Sequence, residues 1–427
     1  MIKKIYVEKL FGYLDYPIDF SEQKNNIVLL HGPNGSGKTT IFEMIKGISD
    51  LDFRIFISTP FKRFVIETDK TSIHIRRNED CLIINDDFEI NSDDINETNI
   101  LYDLDNKPFY EVVEILELNY GVKRVGLREF EYQGEKYKRN DLISHIKNQV
   151  IIKNVPEWLT LFSKELNILF IKAERLFDNQ SRKVVQQKNN LKEIIRNYEN
   201  KYAILSKELD AKFPKKIITK SLEKNNEINS VDIAKRLQNL SLKRHQLSRK
   251  GILTDNDTND LIPADDIKSD DIYDNDYLKQ FLYYYILDNE EKLDVFNTLL
   301  SKLETFEKII NGYFVNKKII ISKKTGFSFI LSKGNLKGQP IPLKKLSSGE
   351  QHFLVLFFEL IFNTEENRVI LIDEPEISLH VSWQIKLVDI LKDIIDLSDD
   401  FFILATHSPS ILRNHRDKVI SVGYDND

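Results

Sequence analysis

The 427-residue chain has a single cysteine, Cys81, so neither a disulfide framework nor a cysteine metal cluster can organise it. Glycine (15) and proline (11) are both scarce, which favours long regular elements over loops. No apolar run reaches the roughly 18 residues that a membrane-spanning helix needs, so no membrane span is expected. The start, Met1-Ile2-Lys3-Lys4-Ile5-Tyr6-Val7, alternates like a strand and lacks the apolar core of a signal peptide. A reducing cytoplasm is the simplest setting. Excess positive charge is also missing. The net charge is −6, so the whole chain is not a polyanion binder, although local patches can be. What is present is 41% apolar residues, enough for a core, and 30% charged residues, which fits exposed helices. The length suggests two or three domains.

The most informative stretch begins at Ile27. Ile27, Val28, Leu29 and Leu30 read as a buried strand. Gly32-Pro33-Asn34-Gly35-Ser36-Gly37-Lys38-Thr39 then fits G-x-x-x-x-G-K-[ST], and a helical pattern follows through Ile41, Phe42, Met44 and Ile45. Strand, glycine loop and helix together make a P-loop. Glycines let backbone N–H groups turn inward around phosphate oxygens, and the helix N-terminus adds its dipole and free donors. Asn34, Gly35, Ser36, Gly37, Lys38, Thr39 and Thr40 are the phosphate-binding candidates. Lys38 can reach the β and γ phosphates of ATP, and Thr39 can hold Mg²⁺. The helix is expected to stop at Gly47.

Residues 1–30 read as two or three strands. Arg54-Ile55-Phe56-Ile57, Phe64-Val65-Ile66, Ile73-His74-Ile75 and Leu82-Ile83-Ile84 read as short antiparallel strands. Residues 91–107 read as a loop, Tyr110–Leu118 as a helix, 140–165 as mostly helical and Asn167–Ile171 as another buried strand. From about residue 183 Leu191, Ile195, Tyr198, Tyr202, Leu205 and Leu209 form a heptad seam, which Pro214 is expected to break. Ile233, Leu237, Leu240 and Leu247, with Arg244, form a second arm. Two arms around a break predict an antiparallel helical hairpin. Residues 181–250 carry 18 Lys or Arg against 7 Asp or Glu, whereas residues 252–290 carry 11 Asp or Glu against 2 Lys. The acidic part reads as a flexible linker. Leu278–Ile310 is helical again, and 319–321 and 327–330 look like strands returning to the head.

Three more motifs fall in the last quarter. Leu346-Ser347-Ser348-Gly349-Glu350-Gln351 precedes an apolar helix expected over Phe353–Phe362, and its serine and glycine offer a hydroxyl and bare N–H groups to an anion. Val369–Ile372 is an apolar strand ending in Asp373-Glu374-Pro375-Glu376. A carboxylate there can hold Mg²⁺, as Asp373, and its neighbour Glu374 can polarise an attacking water. Phe401–Ala405 is a strand ending in Thr406-His407-Ser408, where His407 can sense a γ-phosphate.

Together these motifs resemble the ABC-type ATPase heads. LSSGEQ looks like the ABC signature, ILIDEPE like the Walker B with its catalytic glutamate, and THS like the switch histidine. The resemblance implies an α/β fold: a P-loop ABC-ATPase head with an antiparallel β subdomain and an inserted helical, coiled-coil hairpin. It divides the chain into 1–178 and 318–427 as the two parts of the head and 179–317 as the insertion. It implies ATP and Mg²⁺ as cofactors, Glu374 and His407 as catalytic residues, and Ser347, Gly349 and Glu350 binding ATP across a head-to-tail homodimer. The family also has a glutamine that touches Mg²⁺, and Glu174 stands at the matching position. The DEPEISLH run is similar to the SMC-like, RecF-like and OLD-family ATPases. With the chain ending twenty residues past His407, the Toprim nuclease domain of OLD proteins is not expected, nor is any nuclease site. The insertion looks most like that of stand-alone ATPase subunits of phage-defence systems, PARIS-type or Septu-type. That resemblance implies a separate Toprim- or HNH-type effector nuclease and a phage-encoded trigger as partners. The alternatives are an SMC/RecF-like DNA-repair ATPase that clamps DNA, and a scaffold that binds ATP but hardly turns it over.

Overall fold

The computed structural model describes residues 2–21, 26–79, 81–91, 109–126, 129–132, 134–138, 142, 155–172, 180–220, 230–253, 276–363, 367–377 and 379–423. The chain divides into two compact units. The first comprises Met1–Ala173, Glu365–Ile377 and Asp399–Asp427; the second comprises Glu174–Thr364 and Ser378–Ser398.

The first unit is built on a five-stranded parallel sheet in the order Ile168–Lys172, Val369–Asp373, Phe401–Thr406, Ile27–His31, Val419–Ser421. The three central strands are the near-continuous apolar runs seen in the sequence, as a sheet covered on both faces requires. Their C-terminal ends are level: Thr406 pairs with His31, and Asp373 with Ala405. The functional loops therefore leave the sheet along one edge, where ligands bind in open parallel sheets. The helix Lys38–Asp50 buries Ile41, Phe42, Met44, Ile45 and Ile48, and Phe42 packs edge-on to Phe170 of the outer strand. It does not stop at Gly47. It ends at Leu51, whose left-handed backbone (φ 56°) returns its N–H to the Gly47 and Ile48 carbonyls. Gly47 instead gives clearance, since a Cβ there would lie 2.6 Å from the Asp52 carbonyl oxygen.

A six-stranded antiparallel sheet completes this unit, in the order Leu14–Asp19, Ile2–Leu10, Arg63–Thr68, Ser72–Arg77, Cys81–Ile84, Phe88–Asn91. The expected strand Arg54–Ile57 is instead a short helix, Arg54–Ser58. Asp52 accepts from the Arg54 backbone N–H (3.2 Å) and holds its guanidinium (2.8 and 2.5 Å), which starts the turn. Phe56 is then the one residue of the run that buries fully, against Phe53, Phe61 and Phe64. Local capping and packing override the β-propensity of Ile-Phe-Ile. The helix Phe109–Tyr120 appears as expected, and it carries a three-stranded sheet (Glu135–Lys138, Glu129–Tyr132, Lys123–Arg124) with a small core of its own around Leu116 and Phe130. The sequence did not announce that sheet. The expected loop after Asn91 and most of 140–154 lie outside the described residues; Glu157–Leu166 is helical.

The second unit is mostly helical: Gln180–Lys220, Ser230–Arg249, Asp276–Asp294, Asn297–Tyr313, Ser348–Phe362 and Val381–Ser398, with a small antiparallel sheet of Lys317–Ser322, Gly326–Leu331 and Pro340–Ile341. Leu191 and Ile195 are fully buried in the first arm, and Ile233, Leu237, Leu240 and Leu247 in the second. Pro214 does not break the first arm. The helix runs through it to Lys220, with Pro214 on the exposed side. A proline costs one ladder hydrogen bond and bends the helix but need not end it when neighbouring packing holds.

Asp276–Asp294 packs against both arms. Its acids meet their bases: Lys216 pairs with Asp288, Arg236 with Glu290 through two bonds (2.9 and 2.5 Å), and Lys243 with Asp294 (3.0 Å). Three of the 18 basic side chains of 181–250 are thus paired with acids of this helix. The acidic stretch 254–275 lies outside the described residues. The core below the arms is aromatic. Phe306 stands edge-on to Phe327, Phe358 and Phe362, and Phe314 stacks on Trp383 at 6.2 Å. Among the described residues no helix is long and apolar enough to cross a membrane.

Candidate nucleotide site

The site is assembled from three loops at one edge of the parallel sheet, and the first is the glycine loop. Gly37 takes a left-handed conformation (φ 80°), and a Cβ on it would lie 2.6 Å from Leu10. Only glycine meets both demands. Asn34 and Gly35 form the exposed crest, Ser36 and Lys38 are buried, and Thr39 and Thr40 are half-buried in the first turn. That turn has no side-chain cap, which leaves the main-chain donors that phosphate-binding loops use. Lys38 Nζ donates to the carbonyl oxygens of Gly32 (2.9 Å) and Pro33 (3.0 Å) and to Ser36 Oγ (3.3 Å). Burial pulls its pKa below the usual lysine value, and the carboxylates of Asp373, Glu374 and Glu376 act in the opposite sense.

The second loop brings Asp373 to the glycine loop. Thr39 Oγ1 donates to Asp373 Oδ2 at 2.8 Å, while Asp373 Oδ1 is buried with no hydrogen-bond partner among the described residues. Burial raises the pKa of this carboxyl. A hydroxyl beside a carboxylate with an unsatisfied oxygen is a hard donor pair, and it fits Mg²⁺. Glu374 follows in a left-handed conformation (φ 51°), its N–H donating to the Ala405 carbonyl at 2.9 Å.

The third loop carries His407. Its Nδ1 lies 2.8 Å from the Gly32 carbonyl oxygen, which can only accept, so the ring donates there. Nε2 lies 3.2 Å from Glu374 Oε1. One imidazole therefore links the glycine loop to the end of the Asp373 strand, and Glu374 and His407 are placed to exchange a proton. Sequence reasoning missed two contributors. Tyr16 donates its hydroxyl to the Ser36 carbonyl at 2.5 Å, and burial pushes its pKa up to about 12. Glu376 Oε1 accepts from the backbone N–H groups of His407 (2.7 Å) and Ser408 (3.0 Å). Glu376 stood in the DEPE run, but nothing in one sequence says which loop it reaches. Glu174 lies outside the described residues. The strand before it ends at Lys172, which ion-pairs with Glu43 of the glycine-loop helix.

The LSSGEQ motif belongs to the second unit. Its helix begins at Ser348, not Phe353, so Gly349 and Glu350 lie in the first turn. Ser347 is the N-cap of a reciprocal capping box: Glu350 N–H donates to Ser347 Oγ (3.2 Å), and Ser347 N–H to Glu350 Oε2 (2.7 Å). Both Glu350 oxygens also accept from Lys317 Nζ at 2.6 Å. The motif explains itself first as a helix start, with Glu350 holding Ser347 in place.

The fold is mixed α/β, that of a P-loop ATPase with a parallel-sheet core, an antiparallel β subdomain and an insert of long helices. Residues 1–412 match the family described as AAA ATPase domain, and the chain belongs to that family. A comparison with curated proteins finds no match. Among solved structures the chain is similar to the Smc head domain with an extended coiled coil bound to the C-terminal domain of ScpA from Pyrococcus furiosus. The identity is 13%, the match covers 98% of this chain and 92% of that one, and the TM-score is 0.39. It is also similar to the Smc head domain with a coiled coil and joint from Pyrococcus yayanosii, at 12% identity, 100% and 95% coverage and a TM-score of 0.35.

Proposed function

We propose that this ATPase binds ATP with Mg²⁺ and hydrolyses it, and that it serves as the ATPase of a bacterial phage-defence system controlling a separate effector nuclease. The observation that carries hydrolysis is the run of contacts from Thr39 through Asp373 to Glu374 and His407, which gathers binding, metal-ligating and proton-transferring groups at one edge. The glycine loop and Lys38 hold the phosphates. Thr39 and Asp373 would hold Mg²⁺, which when bound supplies positive charge to the phosphate oxygens. Glu374 takes the proton of the attacking water, and His407, anchored on Gly32, orients Glu374. The defence role is supported by the resemblance of the large, basic-to-acidic helical insertion to those of stand-alone defence ATPases. Ser347 and Gly349 act in trans, in a head-to-tail dimer.

Two measurements test the reading. Glu374→Gln is expected to bind ATP like the wild type and to lose turnover by about 10²–10⁴-fold. Undiminished turnover in that variant refutes the assignment of the base. For the defence role, the protein expressed with its gene neighbourhood is expected to lower phage plaquing efficiency, and Lys38→Ala to abolish that protection. Equal plaquing with and without the system refutes it.

A further inference from the structure

Two glutamates stand two residues apart at the end of the Asp373 strand, and the geometry gives them different work. Glu374 reaches the His407 ring from one side. Glu376 reaches the same residue from behind, through its main chain. Its Oε1 accepts from His407 N–H at 2.7 Å and from Ser408 N–H at 3.0 Å. Ser408 N–H has a second acceptor, Thr406 Oγ1 at 3.0 Å, so the bond to His407 is the one that falls to Glu376. The loop it holds leaves the sheet at Thr406 and must turn at once, because Ser408 caps the short helix Pro409–Leu412. His407 is the residue of that turn whose side chain spans from the Gly32 carbonyl to Glu374.

We infer that Glu376 is a positioning residue: it fixes the His407 backbone so that the ring holds its place between Gly32 and Glu374. What the loop requires of it is an acceptor oxygen, not a negative charge. This rests on reading the site as hydrolytic, and it adds a residue that acts through His407 and touches no substrate. The two glutamates should then respond in opposite ways to the same substitution. An amide in place of Glu374 removes the base. An amide in place of Glu376 keeps a carbonyl oxygen for the two N–H groups.

The test compares Glu376→Gln and Glu376→Ala in the full-length protein, with Glu376→Met as a side chain of similar reach lacking an acceptor should the alanine variant not fold. Steady-state ATP turnover is expected to stay near wild type for Gln. For Ala or Met kcat should fall by about 10–100-fold, the scale of a small misplacement, with little change in KM. A second readout needs no turnover. The rate at which diethylpyrocarbonate modifies His407 in nucleotide-free protein is followed by peptide mass spectrometry, with exposed His380 as the internal reference. Ala or Met should speed His407 modification, and Gln should not. Equal modification rates in all variants, or a Gln variant as impaired as Ala, overturns the inference. A wild type without turnover would count against the hydrolytic reading alone, because the modification rates still decide whether Glu376 positions His407.

Discussion

Replacing Asp373 by asparagine should stabilise the ligand-free protein and at the same time abolish its response to Mg²⁺ and nucleotide. Asp373 is 8% exposed, its Oδ2 accepts from Thr39, and its Oδ1 has no partner among the described residues. An unsatisfied buried acceptor costs about 1–3 kcal/mol, and more when charged. Asparagine keeps an oxygen for Thr39 and removes the charge, so a large part of that cost is recovered. At about 2–4 °C per kcal/mol for a unit of 150–250 residues, the melting temperature in EDTA should rise by roughly 3–10 °C. The effect has a pH signature. Because burial raises the pKa of this carboxyl, the folded protein holds its proton more tightly than the unfolded chain. Wild-type stability therefore falls as pH rises above the ordinary value of 3.8, and the gap to the variant opens there and closes below it. With saturating Mg²⁺ and a slowly hydrolysed ATP analogue the order should invert. The wild type gains about 2.7 kcal/mol at a hundredfold excess over Kd, and the variant gains little. Scanning fluorimetry in EDTA, in Mg²⁺ and in Mg²⁺ with analogue measures all three. A variant that melts below wild type in EDTA, or that keeps the full Mg²⁺-dependent shift, refutes the assignment of Asp373 as a desolvated metal ligand.

Two further outcomes are expected. If Ser347 acts across a dimer, Lys38→Ala and Ser347→Arg proteins, each inactive alone, should recover part of their activity when mixed. The Ser347 variant also loses its N-cap, about 1 kcal/mol, so its fold is checked by circular dichroism first; no recovery, with a monomeric species in light scattering at saturating nucleotide, ends the composite-site reading. His352, fully buried, is pulled down to about 4 chiefly by burial, so it stays neutral in the folded state while the unfolded chain protonates near 6.5. Its contribution is present above pH 6.5 and is lost as pH falls towards 4, by at most about 3 kcal/mol at 1.36 kcal/mol per unit. Urea titrations should show this slope in the wild type and a flatter one in His352→Gln; equal slopes refute it.

The parallel sheet was legible because its strands are uniform apolar runs that end in turn chemistry. Ile27–Leu30, Val369–Ile372 and Phe401–Ala405 cannot be satisfied by a helix of one wet face, and each finishes where a glycine loop, a carboxylate or a histidine begins. What was illegible is where local preference meets a partner far along the chain. Arg54–Ile57 has a strand's residues, but Asp52 before it and Phe61 and Phe64 after it make a helix the better solution. Pro214 looked like a break because a proline in isolation is one. In the bundle, Phe213 beside it packs edge-on to Phe281 of the third helix at 5.6 Å, and that contact holds the helix through the missing hydrogen bond.

The same distinction runs through the site. A motif states which residue types are present but not which atoms meet. The glycine loop was legible as a tight turn between strand and helix because its chemistry is local: positive φ at Gly37, a lysine one residue on, a hydroxyl after that. The Thr39–Asp373 bond spans 334 residues, and the His407–Gly32 contact spans 375. Neither spacing carries information in one sequence. They come together because parallel pairing sets Asp373 level with Ala405 and Thr406 level with His31, so three loops begin at one height. Once that register is fixed, a carboxylate two residues beyond Glu374 has one short path to the main chain of the neighbouring loop. Glu376 takes it, and the order of the strands, not the motif, makes it part of the site.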